Sequence, residues 1–254
     1  MQMSGNTILI TGGTSGIGRS LAEAFHDLGT QVIITGRREA LLAEVTAARP
    51  GMVGIPLDVN NRSSISSLRE KVISTHPQIN VLIANAGISR SEDVTADPWN
   101  LSAAEEMIQT NILGTLRVAA AFLPLLKRSL NPVFMATTSN LAFIPQADYP
   151  TYCATKAFLH SWLQSLRHQL RTTPVQVLEL SPPYVQTELT GKDQASDPRA
   201  MPLDDYVAEV MQLLSTENHP NGEVLAERGS ERRWAEREGR YDAVFAAMNS
   251  ISRH

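Results

Sequence analysis

Short β-branched apolar runs alternate along the chain with longer stretches whose apolar residues recur at helical spacing. The runs predict strands over Thr7–Thr11, Gln31–Thr35, Met52–Leu57, Val81–Ala84, Pro132–Ala136, Val175–Glu179 and Glu223–Ala226. The periodic stretches predict helices near Gly18–Leu28, Glu39–Ala47, Ser63–Ser74, Ser102–Leu126, Thr151–Arg171 and Leu203–Leu214. Strands that alternate with crossover helices pair in parallel. The expected fold is therefore α/β: a doubly wound, mostly parallel seven-stranded sheet with helices on both faces, a three-layer αβα sandwich. No linker or repeat divides the pattern, so one domain over residues 1–254 is expected. An irregular stretch rich in Gly, Asp, Ser and Pro, Thr190–Pro202, follows the sixth run. It reads as a lid over a site, with a substrate loop at about 188–203, or else as a plain surface loop.

Composition narrows the function classes. The 254 residues carry a formal charge of −4, with 43% hydrophobic and 19% charged residues. That balance gives no basic field for a phosphate backbone, so nucleic acid is not an expected partner. The single Cys153 excludes an internal disulfide and an all-cysteine metal site and suits the cytoplasm. Neither a signal peptide nor an uninterrupted apolar stretch of roughly 18 residues is visible. No membrane association is expected.

The first strand runs into "ILITGGTSGIGRS". A glycine turn between a strand and a helix gathers bare backbone N–H groups and the positive end of the helix, an arrangement that stabilises a pyrophosphate. Gly12 permits the turn, Gly16 admits a phosphate, and Gly18 lets helix and strand pack closely. A turn that serves only chain reversal would use the same residues. At the end of the second strand, "ITGRRE" places Arg37 and Arg38 where a dinucleotide fold reads the ribose. Guanidinium forks suit a 2′-phosphate, whereas an acidic residue would accept from a free 2′-hydroxyl. NADP(H) is thus favoured over NAD(H), unless both arginines merely solvate a helix start. Asp58 closes the third strand, positioned to accept from an adenine amino group or to cap the following turn.

A second constellation lies in "SNLAFIPQADYPTYCATK". Tyr152 and Lys156 stand four apart on one helix and share a face. An ammonium beside a phenol stabilises the phenolate, which would bring the phenol closer to a working acid or base. A chance surface pair would look the same. Ser139, at the end of the fifth strand, is placed to donate to a substrate oxygen, or serves only as a turn residue.

Together these motifs resemble the short-chain dehydrogenase/reductase (SDR) family over essentially the whole chain, in its single-domain Rossmann form. "TGGTSGIG" is similar to the family's cofactor loop, "NAG" at Asn85–Gly87 to its fourth-strand motif, and Asn111 in "QTNILG" to its helix asparagine. Ser139, Tyr152 and Lys156 match its catalytic residues. "TSNLAFIPQADYPTYCATKAFLHSW" and "AMPLDDYVAEVM" further resemble the DltE-like subgroup. Pro183 departs from the usual Gly, and Ala84 from the first Asn of the commoner Asn-Asn-Ala-Gly.

The resemblance implies an NADP(H)-dependent carbonyl reductase, or alcohol dehydrogenase in reverse, with no metal. Asn111, Ser139, Tyr152 and Lys156 would be catalytic. Tyr152 would exchange the proton, Ser139 polarise the carbonyl, Lys156 tune Tyr152 and bind ribose hydroxyls, and Asn111 hold a relaying water. The cofactor would rest on Gly12, Thr14, Ser15, Gly16, Ile17, Gly18, Arg37, Arg38, Asp58, Val59, Asn85, Ala86, Gly87, Tyr152, Lys156, Pro182, Val185 and Thr187. Pocket walls of Leu141, Phe143, Ile144, Gln146, Tyr149, Tyr184, Leu189 and Met201 imply a small-molecule ketone or alcohol, neutral and moderately apolar. Phe158, Trp162 and Leu166 suit a homo-oligomer, dimer or tetramer, or burial against the chain's own sheet. An NAD-linked alcohol dehydrogenase and a non-catalytic NADP sensor are the alternatives. Cys153 reads as a small buried side chain, His160 and His168 as structural or solvated, and "ERGSERRWAEREGR" as a solvated face.

Overall fold

The computed structural model describes residues 1–216 and 219–250. The expected 1–254 span includes the remaining positions, which lie outside the described residues. Seven strands form one sheet: β1 (Thr7–Thr11), β2 (Gln31–Gly36), β3 (Val53–Pro56), β4 (Val81–Ala84), β5 (Val133–Thr137), β6 (Gln176–Ser181) and β7 (Glu223–Leu225). Their order is β3-β2-β1-β4-β5-β6-β7, and every neighbouring pair is parallel. The strand order reverses between β1 and β4, the crevice where doubly wound sheets bind ligands.

The helices are α1 (Gly16–Asp27), α2 (Glu39–Ala48), α3 (Arg62–Thr75), α4 (Ser102–Met107), α5 (Thr115–Leu126), α6 (Pro150–Gln169), α7 (Leu203–Ser215), α8 (Ser230–Trp234) and α9 (Tyr241–Asn249). Successive strand residues point to opposite faces, and here both faces are apolar. Ile8, Ile10, Val81, Ile83 and Met135 join the core under α1 and α7, with Phe25, Tyr206 and Leu214. Leu9, Leu82, Phe134 and Val177 join the other core under α3, α5 and α6, with Leu68, Phe122 and Leu163. Covering a parallel sheet on both sides explains why its strands read as nearly continuous apolar runs.

β1 and β4 have the predicted bounds, and boundaries of the other strands shift by one or two residues. The helix expected over Ser102–Leu126 forms with those bounds as one continuous helix. Within it lies a π-helical turn, Ile108–Gly114, that the periodicity does not predict. Here Thr115 Oγ1 donates to the Asn111 carbonyl at 2.8 Å, and Gly114 faces Val59 so closely that a Cβ there would lie 2.8 Å from Val59 Cγ2. Sequence periodicity does not register a single inserted residue of this kind. The run is long and apolar enough to span a membrane by length and composition, but Val118, Ala119, Phe122 and Leu126 are buried in the core. The C-terminal "ERGSERRWAEREGR", expected as a solvated helical or loop face, is exposed at Glu227, Arg228, Glu231 and residues 236–240. It contributes α8, and Arg233 is drawn from the surface into an ion pair with Glu223, the two side chains being 19% and 7% exposed.

Phe122 is fully buried between α5 and the sheet. Phe122→Ala is expected to cost about 3–5 kcal/mol, because the helix cannot close the cavity; urea unfolding followed by circular dichroism measures it.

Candidate active site

The parallel sheet delivers the ends of β1, β4, β5 and β6 to one edge, and the sequence-predicted residues meet there. After β1 the chain turns through Gly12, whose φ of +69° is open to glycine at little cost. A Cβ at Gly12 would lie 2.9 Å from Ala86 Cα. At Gly18 a Cβ would strike the Gly12 carbonyl oxygen and Asn85 Nδ2. The glycines therefore bring α1 hard against the strand end and leave the start of α1 open. Ser15 precedes the helix without capping it. Thr14 is buried against Gly36, and Ile17 packs on the core beneath.

Arg37 and Arg38 are exposed beyond β2. Arg38 Nη2 donates to Ser15 Oγ at 3.3 Å, so it bridges the end of β2 and the glycine turn. Neither guanidinium has a carboxylate partner among the described residues. Asp58 accepts from the Asn60 N–H at 2.9 Å, which is the turn-capping alternative, and Val59 is buried beside Gly114. This glycine cradle, flanked by two cations without carboxylate partners among the described residues, fits a dinucleotide phosphate.

Asn85 ties the edge together. Its N–H and that of Ala86 donate to Thr11 Oγ1 at 3.0 and 3.1 Å, its Nδ2 donates to the Thr11 carbonyl at 3.2 Å, and Thr137 Oγ1 donates to its Oδ1 at 3.1 Å. Lys156 Nζ donates to the Thr137 carbonyl at 2.8 Å and stands 5.6 Å from the centroid of the Tyr152 ring. Asn111 brackets Ile88, accepting from its N–H and donating to its carbonyl, both at 2.9 Å. Its second amide hydrogen goes to Thr155 Oγ1 at 3.1 Å. One hydrogen of the Asn111 amide thus fixes the loop that contains Gly87, and the other ties Asn111 to α6. Tyr152, Lys156 and Ser139 are 7%, 4% and 8% exposed.

Burial sets the electrostatics. It raises the Tyr152 phenol well above its ordinary value, and a hydrogen bond from Ser139 opposes only part of that rise. The direction is opposite to the depression expected from Lys156. Desolvation also lowers Lys156, to about 8. At neutral pH the pair is a neutral phenol beside an ammonium. A neutral phenol is a proton donor.

After β6, Pro182 accepts from the Asn140 N–H at 2.9 Å. Val185 pairs with Met201, and Thr187 faces Gly16. Two organisers escaped the sequence reading. Gln194, 7% exposed, donates to the Val185 carbonyl and Thr187 Oγ1 while accepting from Thr190 N–H and Oγ1, so it folds the loop around one amide. Glu92 accepts from the Thr151 N–H and Oγ1, both at 3.0 Å, and caps the helix that carries Tyr152. No motif marks either residue; only a buried glutamine in a polar loop could have hinted at the first.

A cavity of about 300 Å³ at this edge is lined by Ser89, Arg90, Ser91, Tyr149, Glu188, Leu189, Thr190 and Gly191. Of the expected apolar walls, only Tyr149 and Leu189 line it. Ile144 is fully buried, the Tyr184 hydroxyl donates to Asp197, and Phe143 packs edge-on against His160. Ser89, Arg90 and Ser91 from the loop after β4 contribute polar groups to the cavity lining. Cys153 is buried, and burial raises its thiol. His160, Glu179 and Glu223 bring ligand-type atoms within 4.8 Å of one another. They are paired internally: His160 Nδ1 lies 2.8 Å from Glu179 Oε2, and Glu223 is held by Arg233.

A parallel doubly wound sheet, a glycine cradle at its switch point and a buried Ser-Tyr-Lys group define a nucleotide-dependent oxidoreductase. A sequence profile described as "short chain dehydrogenase" matches residues 6–198. The chain is 39% identical over 253 residues to an uncharacterized oxidoreductase DltE of Bacillus subtilis, covering 98% of this chain and 99% of that one. A short chain dehydrogenase from Burkholderia cenocepacia, solved in complex with NADP, superposes with a TM-score of 0.83 at 24% identity, over 98% of this chain and 99% of that one. The 3-ketoacyl-(acyl-carrier-protein) reductase of Brucella melitensis, complexed with NADH, gives 0.75 at 23% identity, over 84% and 91%. This chain belongs to the short-chain dehydrogenase family, and its DltE relative makes it an oxidoreductase of that family.

The lowered Lys156 predicts a stability change with a definite sign. Between about pH 8 and 10.5 the unfolded chain binds more protons at this site than the folded one, so stability rises with pH. Between pH 7.5 and 9.5 the protein is expected to gain on the order of 1–2 kcal/mol relative to Lys156→Met. Denaturant unfolding at the two pH values measures the difference; equal slopes would contradict the assignment.

Proposed function

We propose that the protein is an NADP(H)-dependent oxidoreductase that interconverts a carbonyl and an alcohol. The buried group formed by Ser139, Tyr152 and Lys156 carries the reading, and the exposed Arg37 and Arg38, without carboxylate partners among the described residues, support the phosphate-bearing cofactor. Arg37, Arg38 and the glycine turn hold the dinucleotide, with Asn85–Gly87 and the 182–187 segment framing its other side. Nicotinamide, when bound there, would supply the hydride for the carbonyl carbon. Tyr152 gives its phenolic proton to the carbonyl oxygen, so the products are an alcohol and a tyrosinate. Ser139 donates to the same oxygen as charge develops on it. Lys156 stabilises the tyrosinate, and Asn111 holds the Ile88 loop beside it, where a relaying water would complete proton return.

Ile108 and Phe158, each 41% exposed, suit contact with a second copy in a cytoplasmic homo-oligomer.

The test is oxidation of NADPH and NADH with a panel of polar and apolar ketones. Tyr152→Phe is expected to abolish turnover while leaving NADPH affinity within about twofold, since it removes the proton and little binding surface. Arg37→Ala and Arg38→Ala are each expected to weaken NADPH about 10- to 100-fold and to leave NADH nearly unchanged, the size of one charge-assisted hydrogen bond. Turnover mainly with NADH would overturn the cofactor assignment, and NADPH binding without turnover would favour a sensor.

Reductive kcat is expected to fall as pH rises through about 8, because deprotonation of Lys156 removes the ammonium that stabilises the tyrosinate. A pH–rate profile that stays level to pH 9.5 would contradict that role.

A further inference from the structure

The segment between Ser139 and α6 is held by a part of the chain that lies beyond residue 198, where the family match ends. Three contacts hold it. Gly229 sits against Asn140 so tightly that a Cβ there would lie 2.6 Å from Asn140 Nδ2. Asn140 is 1% exposed and is itself tied to β6, accepting from Ser181 Oγ at 3.1 Å. Arg233 lies 4.8 Å from the centroid of the Phe143 ring and 4.3 Å from that of Trp234. Two hydrogen bonds to Glu223, at 2.7 and 2.8 Å, fix its guanidinium there. The carboxamide of Asn249, near the end of α9, grips the backbone. Its Oδ1 accepts from the Ala147 N–H at 2.6 Å and its Nδ2 donates to the Pro145 carbonyl at 3.2 Å.

The segment is also anchored from its inner side. The Gln146 N–H donates to Cys153 Sγ at 3.4 Å, one residue after Tyr152. The Asp148 carbonyl accepts from the Glu92 N–H, and Tyr149 lines the cavity. Residues 143–149 contain no helix or strand of their own, so these ties set their course. A displacement of the order of 1 Å at a reacting group is enough to cost about 100-fold in rate.

We propose that residues 229–249 form a clasp that positions Ser139 and Tyr152 on a common carbonyl oxygen, with Arg233 and Asn249 as positioning residues. The proposal rests on the proton-transfer reading of Ser139 and Tyr152. The clasp makes none of these contacts to the glycine turn or to Arg37 and Arg38. Its loss therefore separates chemistry from dinucleotide binding. An ordinary structural role would lower both together.

The first measurement is amide hydrogen exchange of the full-length protein with NADPH bound. In Asn249→Ala, peptides covering 143–149 are expected to exchange at least about 10-fold faster, while peptides covering 12–20 keep their rates. Unchanged exchange at 143–149 would overturn the clasp. The second measurement is steady-state reduction of the best ketone in the panel. Asn249→Ala and Arg233→Met are expected to lower kcat about 10- to 100-fold, with the NADPH Kd within twofold. Asn249→Asp keeps the acceptor for Ala147 and should recover part of the loss, whereas Arg233→Lys lacks the planar fork and should recover little. Wild-type kcat and KM in both Asn249→Ala and Arg233→Met, or NADPH binding lost in parallel with kcat, would overturn it. If Tyr152→Phe retains full turnover, the proton-transfer reading fails; if only the clasp variants retain it, the clasp alone fails.

Discussion

The tie between Thr11, Asn85 and Thr137 is the interaction on which the site depends. A parallel sheet leaves the carbonyls and N–H groups at its strand ends without ladder partners, and unpaired buried groups of this kind are costly. Asn85 satisfies several at once, joining the ends of β1, β4 and β5 through Thr11 and Thr137. Thr137 in turn receives Lys156 through its backbone carbonyl. One chain of hydrogen bonds thus runs from the glycine turn to the buried ammonium. It sets the cradle and the proton-transfer group at a fixed separation.

That chain also explains which features could be read from the sequence. The strands were legible because burial on both faces makes them nearly continuous apolar runs, and Gly18 because only a residue without a side chain fits against the Gly12 carbonyl. Ser139, Tyr152 and Lys156 were legible as a pattern. Their electrostatics were not, because the desolvation that dominates Tyr152 depends on three-dimensional burial, which a four-residue spacing does not encode. The π-helical turn was invisible for a related reason. It alters the hydrogen-bond register at Asn111 and Thr115 without changing the apolar rhythm around it.

The cavity walls show a different limit. Phe143, Ile144 and Tyr184 flank the motif residues in sequence, and adjacency suggested that they would flank the substrate. The backbone turns them elsewhere: Phe143 toward His160 and Arg233, Ile144 into the interior, and Tyr184 toward Asp197. The cavity beside Tyr149 is lined instead by Ser89, Arg90 and Ser91 from the loop after β4 and by residues 188–191 after β6. The lining of that cavity is therefore a property of crossing loops. No single stretch of sequence contains it.

The two halves of the sheet divide the work. The β1–β3 half supplies the glycine turn and the arginines, whose chemistry needs backbone N–H groups and exposed cations. The β4–β7 half supplies a buried hydroxyl, phenol and ammonium, whose chemistry needs water kept out. Exclusion of water requires that the segment over Ser139 stay down, and burial is also what raises Tyr152 and lowers Lys156. The same packing thus keeps the phenol neutral and, in the proposed reaction, keeps it aimed. Loosening the cover would rehydrate the pair and move both groups back toward their ordinary values, so geometry and acidity in this site are set by one structural cause.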